Sequence, residues 1–417
     1  MNRLFRLLGP GFVFILTVLG PGDFVANAVT GATQGYALLW ALALAVFFRF
    51  IWLDTSARYV LATGETLMDG YARLGSWLLW LVLGSLIVIR LLANLYKLVL
   101  LSNTAALLLP FEFSASRYLW SLLFAAAVFF LCDRGGYRAL DSWFKSLVAV
   151  MCCALLAAAI LAKPSPTAIF RGFFLPAIPG DRGAYGTLFL LMALIGTEAG
   201  SLTNLTYSYF VHRKGWRDAS FRKRQQIDLL ISVGCLLLMS GAVQVAAAGT
   251  LLPARVIPTN ADDLVPLFSN ALGLAGRIIF TFGLCAAAIS SYIGGTMGYS
   301  MIAADVWSRL RPGAQLEGPE AQLRHRRFLA FWCFAPLCLL FFMDRPLWLS
   351  LAVSALMGAL IPLLAGVLFH LTSDRQRLGS LAAPPFIRIS LAVLVLISTA
   401  LLATNAARWV SARLAES

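Results

Sequence analysis

A chain of 417 residues that is 60% hydrophobic and 12% charged, with a mean hydropathy of +0.82, is not an ordinary soluble domain, where about 25% of residues carry charge. The net charge of +14 collects in the loops between apolar runs, which reads as a membrane-topology signal and excludes a nucleic-acid partner. Apolar runs of about 20 residues each suffice to cross a hydrocarbon core of about 30 Å, so the chain is an all-α polytopic membrane protein whose first partner is the lipid bilayer.

The first run spans about 11–34 and is interrupted by Gly20-Pro21-Gly22-Asp23. The glycines and proline remove helix propensity and one N–H donor, and Asp23 stands where a helix restarts. Arg3 and Arg6, the apolar stretch 12–19 and Ala26-Asn27-Ala28 imitate a signal peptide. The Pro-Gly-Asp interruption argues against one, because a cleavable apolar region is continuous.

A second span at about 38–62 carries Asp54 and Arg58 at i, i+4 spacing, a self-neutralised pair. The third, 77–109, places Arg90, Asn94 and Lys97 at i, i+4 and i+7 on one face inside the membrane. Those bases either pair with Asp23, Glu198 or Asp54, or face an anion. Further spans follow at 118–132, 143–162, 185–211, 227–252, 272–303, 328–342, 347–371 and 387–407, about eleven in all.

The sixth span is broken at Gly196-Thr197-Glu198-Ala199-Gly200-Ser201. Paired broken helices in matching halves of a membrane chain point to a transporter's binding site. The offset of five spans inverts the second half, so the expected architecture is a five-plus-five inverted repeat, 1–162 and 185–371, with an extra C-terminal helix at 387–407. Lys and Arg asymmetry puts the N-terminus in the cytoplasm and, with an odd span count, the C-terminus outside a plasma (cytoplasmic) membrane.

Asp23, Asn27 and Thr30 form one polar stripe, and Glu198, Ser201, Asn204 and Ser208 another. Facing each other near the midplane, they offer two carboxylates and several neutral oxygens, a donor set for a hard divalent cation. Asp23 alone also serves as a helix cap, and Glu198 as the partner of a buried base. The seven cysteines lack metal spacing and read as packing residues, and His212, His325 and His370 are scattered. No nucleophile elbow, phosphate loop or zinc spacing occurs, so neither an enzyme nor a cofactor is expected.

Gly20-Pro21-Gly22-Asp23 resembles the Asp-Pro-Gly-Asn of the Nramp family of proton-coupled divalent metal transporters. Asn204-Leu205, Gln226-Ile227-Asp228, Gly283 to Thr296 and Leu360-Ile361-Pro362-Leu363 extend the similarity in order. The resemblance implies a LeuT-type fold and alternating access. Aligned on it, the family's metal-binding Asp falls on Gly20 and its Asn on Asp23; the carbonyl-donating Ala falls on Glu198, the Met on Ser201 and the His on Thr203. Loss of the soft Met ligand argues against selective Fe²⁺ or Mn²⁺ uptake and shifts the expectation to hard, oxygen-loving divalent cations as a class (Mg²⁺/Mn²⁺). The resulting ion-binding set is Gly20, Asp23, Asn27, Glu198, Ser201 and Asn204, with Asp23 and Glu198 as metal ligands. Arg90, Asn94 and Lys97 stand as a coupling group or an alternative anion site. A carrier of a small anion such as bicarbonate, and a non-transporting receptor, are the competing readings.

Overall fold

Glycine, proline and aspartate set the first helix. In the computed structural model, which describes residues 20–108, 116–134, 137–181, 185–200, 202–311, 313–314, 318–343 and 345–416, α1 runs Pro21–Gln34. Extended Gly20 precedes it, Pro21 opens it, and Asp23 folds back to accept the Gly20 N–H at 3.0 Å, a proline-initiated and acid-capped start. The half of the first span before Gly20 lies outside the described residues.

The chain continues as α2 (Leu39–Thr63), a short α3 (Leu67–Leu74), α4 (Ser76–Leu108), α5 (Ser116–Asp133), α6 (Tyr137–Leu161) and α7 (Pro166–Phe174). Then come α8 (Thr187–Glu198), α9 (Leu202–Arg213), α10 (Arg222–Thr250), α11 (Pro266–Leu310), α12 (Pro319–Phe334), α13 (Pro346–Ser373) and α14 (Pro385–Glu416). Among the described residues nine helical stretches are long and apolar enough to cross a membrane, or ten if the bent pair α6–α7 is counted as one span. These correspond to ten of the eleven expected spans.

Several boundaries differ from the sequence reading. The fifth span begins earlier, at Tyr137, and ends at Leu161, one residue from the expected Ala162; a separate short helix, α7, follows after Lys163, turned by 111°. The ninth begins earlier, at Pro319, and passes into a 3₁₀ stretch, Ala335–Phe342, that contains Pro336. The eighth also starts earlier, at Pro266, across a non-helical Gly273 with φ +58°.

Helices close on one another where glycine removes a side chain. A Cβ at Gly31 would lie 2.3 Å from the Gln244 carbonyl oxygen, so α1 lies backbone-to-backbone on α10; one at Gly196 would lie 1.8 Å from that of Ser354, binding α8 to α13. Small residues serve this purpose in membranes, where lipid gives no hydrophobic drive for helix association. Ion pairs gather at one end of the bundle. Asp54 takes both Arg58, as the i, i+4 spacing suggested, and Arg222 of α10 at 2.6 Å. Arg309 bridges Asp69 and Asp305, and Arg73 pairs with Glu65, holding that carboxyl below its usual range.

Candidate functional site

The start of α1 meets the end of α8. The described part of the second break runs through Ala199 and Gly200, the latter at φ +69°, a conformation that favours glycine; Ser201 lies outside the described residues. Asn204, the third residue of α9, donates from Nδ2 to the Ala199 carbonyl at 2.8 Å, satisfying a backbone group that the unwound turn releases.

Asp23 is buried and links the start of α1 to the end of α8. One carboxylate oxygen accepts the Gly20 N–H and the other the Thr197 hydroxyl at 3.0 Å. One turn on, Asn27 donates from Nδ2 to Glu198 Oε1 at 2.5 Å and to the Asp23 carbonyl at 2.8 Å. Of the second stripe, Glu198 reaches the first, through Asn27, and Thr197 beside it reaches Asp23. Ser208 turns back on its own helix, donating to the Leu205 carbonyl.

Beside this contact lies a cavity of about 80 Å³. Gly20, Gly22 and Asp23 of the first break line it, with Thr197 and Thr203 flanking the second. Asn27, Glu198 and Asn204 lie outside its wall, all fully buried. Of the expected carboxylate pair, Asp23 fronts the cavity and Glu198 stands behind it. No cluster of three or more His, Cys, Asp or Glu side chains with metal-binding geometry occurs among the described residues.

The opposite wall is α4. Arg90 donates from Nη2 to the Tyr292 carbonyl at 2.8 Å and the Thr296 hydroxyl at 2.9 Å. Lys97 reaches the Ser291 hydroxyl at 2.9 Å, and Asn94 spans the Thr296 hydroxyl and the Trp332 carbonyl. Neither base forms an ion pair with Asp23, Glu198 or Asp54; of the expected alternatives, pairing with those acids is not what occurs. Their partners are the carbonyls and hydroxyls of α11, at a stretch where Gly294, Gly295 and Gly298 leave the helix backbone bare toward the cavity.

One site residue escaped the sequence reading. Arg49, midway along α2, is fully buried on the cavity wall, and its guanidinium acts electrostatically on both Asp23 and Glu198. A Cβ at Gly200 would lie 3.0 Å from its Nη2, so the missing side chain at the break makes room for it. A charged residue alone in an apolar run is the signal that would have found it.

A profile described as natural resistance-associated macrophage protein-like matches residues 11–407. The divalent metal cation transporter MntH of Bacillus subtilis (strain 168) is 24% identical over 310 residues, covering 72% of this chain and 70% of the relative. Natural resistance-associated macrophage protein 2 of Mus musculus is 31% identical over 190 residues, 43% of this chain and 32% of that one. Among solved structures, a manganese transporter of Eremococcus coleocola superposes with a TM-score of 0.75 at 14% identity, covering 96% of this chain and 87% of that one.

Proposed function

The chain belongs to the natural resistance-associated macrophage protein-like family, and from that premise we propose that it is a secondary transporter, not an enzyme, moving a hard divalent cation, Mn²⁺ or Mg²⁺, across the membrane by alternating access. The observation that carries the reading is the Asp23 carboxylate, seated in the first turn of α1 on the wall of a cavity and hydrogen-bonded across to Thr197 beside the second break. An intramembrane acid beside two interrupted helices is the arrangement expected of an ion pathway. Relatives named as divalent metal cation transporters and a manganese transporter of the same fold support the cargo class.

In this reading Asp23 meets the cation, together with Gly20 and the hydroxyls at the cavity edge. Asn27, Glu198, Ser201 and Asn204 complete the ion-binding set, Glu198 entering through its link to Asn27. Oxygen donors make up this set and favour hard ions; the one thioether on the cavity wall among the described residues is that of Met357, from α13. The halves 1–162 and 185–371 form the inverted repeat, with 387–407 as the added helix. Helices α1, α2, α8, α9 and α10 rock against the remainder in a plasma (cytoplasmic) membrane, N-terminus inside and C-terminus outside, as the loop charges indicate. A non-transporting receptor, and a carrier of an anion alone, are not the activities for which the similar proteins are named.

Equilibrium binding tests the cargo. Mn²⁺ or Mg²⁺ stabilises the purified protein against thermal unfolding, by about 2.7 kcal/mol at a concentration about a hundred times Kd, and Asp23→Asn removes most of the gain. Indifference of the wild-type protein to every divalent cation defeats the reading.

A further inference from the structure

Three basic side chains line the cavity, Arg49, Arg90 and Lys97, none more than 4% exposed. Among the described residues Asp23 is the one carboxylate on that wall, and Glu198 lies behind it. Arg49 acts on both acids. Arg90 and Lys97 form no ion pair with an acid among the described residues, and each hydrogen bond they make goes to a neutral carbonyl or hydroxyl of α11. Asp23 acts on Lys97 only at longer range.

Charge and donors are both left over. An ionised base in a low-dielectric interior is costly unless an opposite charge accompanies it, and the two nearby carboxylates already face Arg49. Arg90 spends only Nη2 on hydrogen bonds, and its Nε has no partner. Lys97 directs Nζ to Ser291 alone, with further donor capacity on the ammonium. The start of α1 points the positive end of its backbone dipole at the same space through Gly20 and Gly22. Gly295 keeps the guanidinium in place, since a Cβ there would lie 2.2 Å from Arg90 Nη1.

We propose that the cavity binds a small inorganic oxyanion between Arg90 and Lys97, with the Ser291 hydroxyl beside it and the α1 N-terminus opposite. The anion supplies the negative charge that the protein's own side chains leave unmatched on this wall, and charge-assisted hydrogen bonds from guanidinium and ammonium suit several oxygens on one centre. A space of about 80 Å³ suits a compact ion. This inference shares its cavity with the cation reading but does not depend on a metal being bound.

The test titrates the purified full-length chain, in detergent free of phospholipid so that headgroup phosphate is absent, with bicarbonate, nitrate, sulfate and, for comparison, chloride. Calorimetric affinity and thermal midpoint are read with and without Mn²⁺. At least one oxyanion binds saturably and more tightly than chloride, and Lys97→Met or Arg90→Met weakens that affinity about tenfold to a hundredfold. Where Arg90→Met does not fold, Lys97→Gln carries the comparison. The inference is overturned if no oxyanion binds the wild-type protein, if chloride binds as well as any oxyanion, or if the folded variants bind as tightly as wild type. A Mn²⁺ response without an oxyanion response defeats this inference and leaves the cation reading. An oxyanion response with no response to any divalent cation does the reverse.

Discussion

Gly196→Ala yields little or no folded protein. The added Cβ would stand 1.8 Å from the Ser354 carbonyl oxygen and 2.6 Å from the Gly358 amide nitrogen, and both obstacles are backbone of α13, which cannot swing aside as a side chain would. Relief requires α8 and α13 to separate, which also displaces Thr197 and Glu198 at the end of α8 from Asp23 and Asn27. Overpacking a core costs about 1–3 kcal/mol where side chains yield, and a backbone collision exceeds that range. The check is the monodisperse fraction and thermal midpoint after extraction. A variant as stable as wild type would mean that the helices approach less closely than the structure has them. Gly84, with open space around its absent Cβ, is the control position: alanine there leaves the yield unchanged.

The second large effect is at Arg49. Arg49→Met removes the guanidinium that acts on Asp23 and Glu198 together, leaving two buried carboxylates, one on the cavity wall and one behind it, in a low-dielectric interior. Removing one partner of a buried charge group costs about 3–5 kcal/mol, because the charge left behind is uncompensated. Adding Glu198→Gln to the same chain recovers part of the loss, since one orphaned carboxylate is then neutral. The double-mutant cycle should show coupling of about 0.5–3 kcal/mol. Additive single-variant losses would show that Arg49 and Glu198 act independently. Arg49→Lys keeps the charge but not the planar guanidinium, and so falls between the two.

How far the sequence reached follows from what kind of signal each feature leaves. Long apolar runs set nearly all the membrane helices, and the Gly-Pro-Gly-Asp stretch marked the start of α1, because those residues act through local backbone physics. The facing of Asp23 and Asn27 toward the sixth span was also legible, since helical spacing alone puts them on one stripe. The short helices α3 and α7 were not, as eight and nine residues between spans leave too little periodicity to separate from loop. Asp54–Arg58 is visible as an i, i+4 pair; the third member, Arg222, comes from α10 and only folding brings it there.

Arg49 illustrates the same limit at the site itself. It has no spaced polar companion on α2, so periodicity passed over it, and its meaning lies in acids contributed by α1 and α8. For Arg90 and Lys97 the shared face was legible, while their partners within the protein are not the acids that the sequence offered. The partners are the Ser291 and Thr296 hydroxyls together with the backbone carbonyls of Ser291 and Tyr292 on α11, and a carbonyl has no letter in a sequence. The division of labour between Asp23 on the cavity wall and Glu198 behind it likewise depends on the rotation of two helix segments about the breaks, which composition does not encode.

The central claim is that a divalent cation crosses the membrane by way of Asp23. Its most direct test is Mn²⁺ entry into sealed proteoliposomes containing the purified chain, followed with a metal-quenched dye trapped inside. Wild-type vesicles should fill faster than protein-free ones with a rate that saturates in Mn²⁺, and Asp23→Asn vesicles carrying equal amounts of folded protein should fill at the protein-free rate. Wild-type vesicles that fill no faster than empty ones, or Asp23→Asn vesicles that fill as fast as wild type, would contradict it.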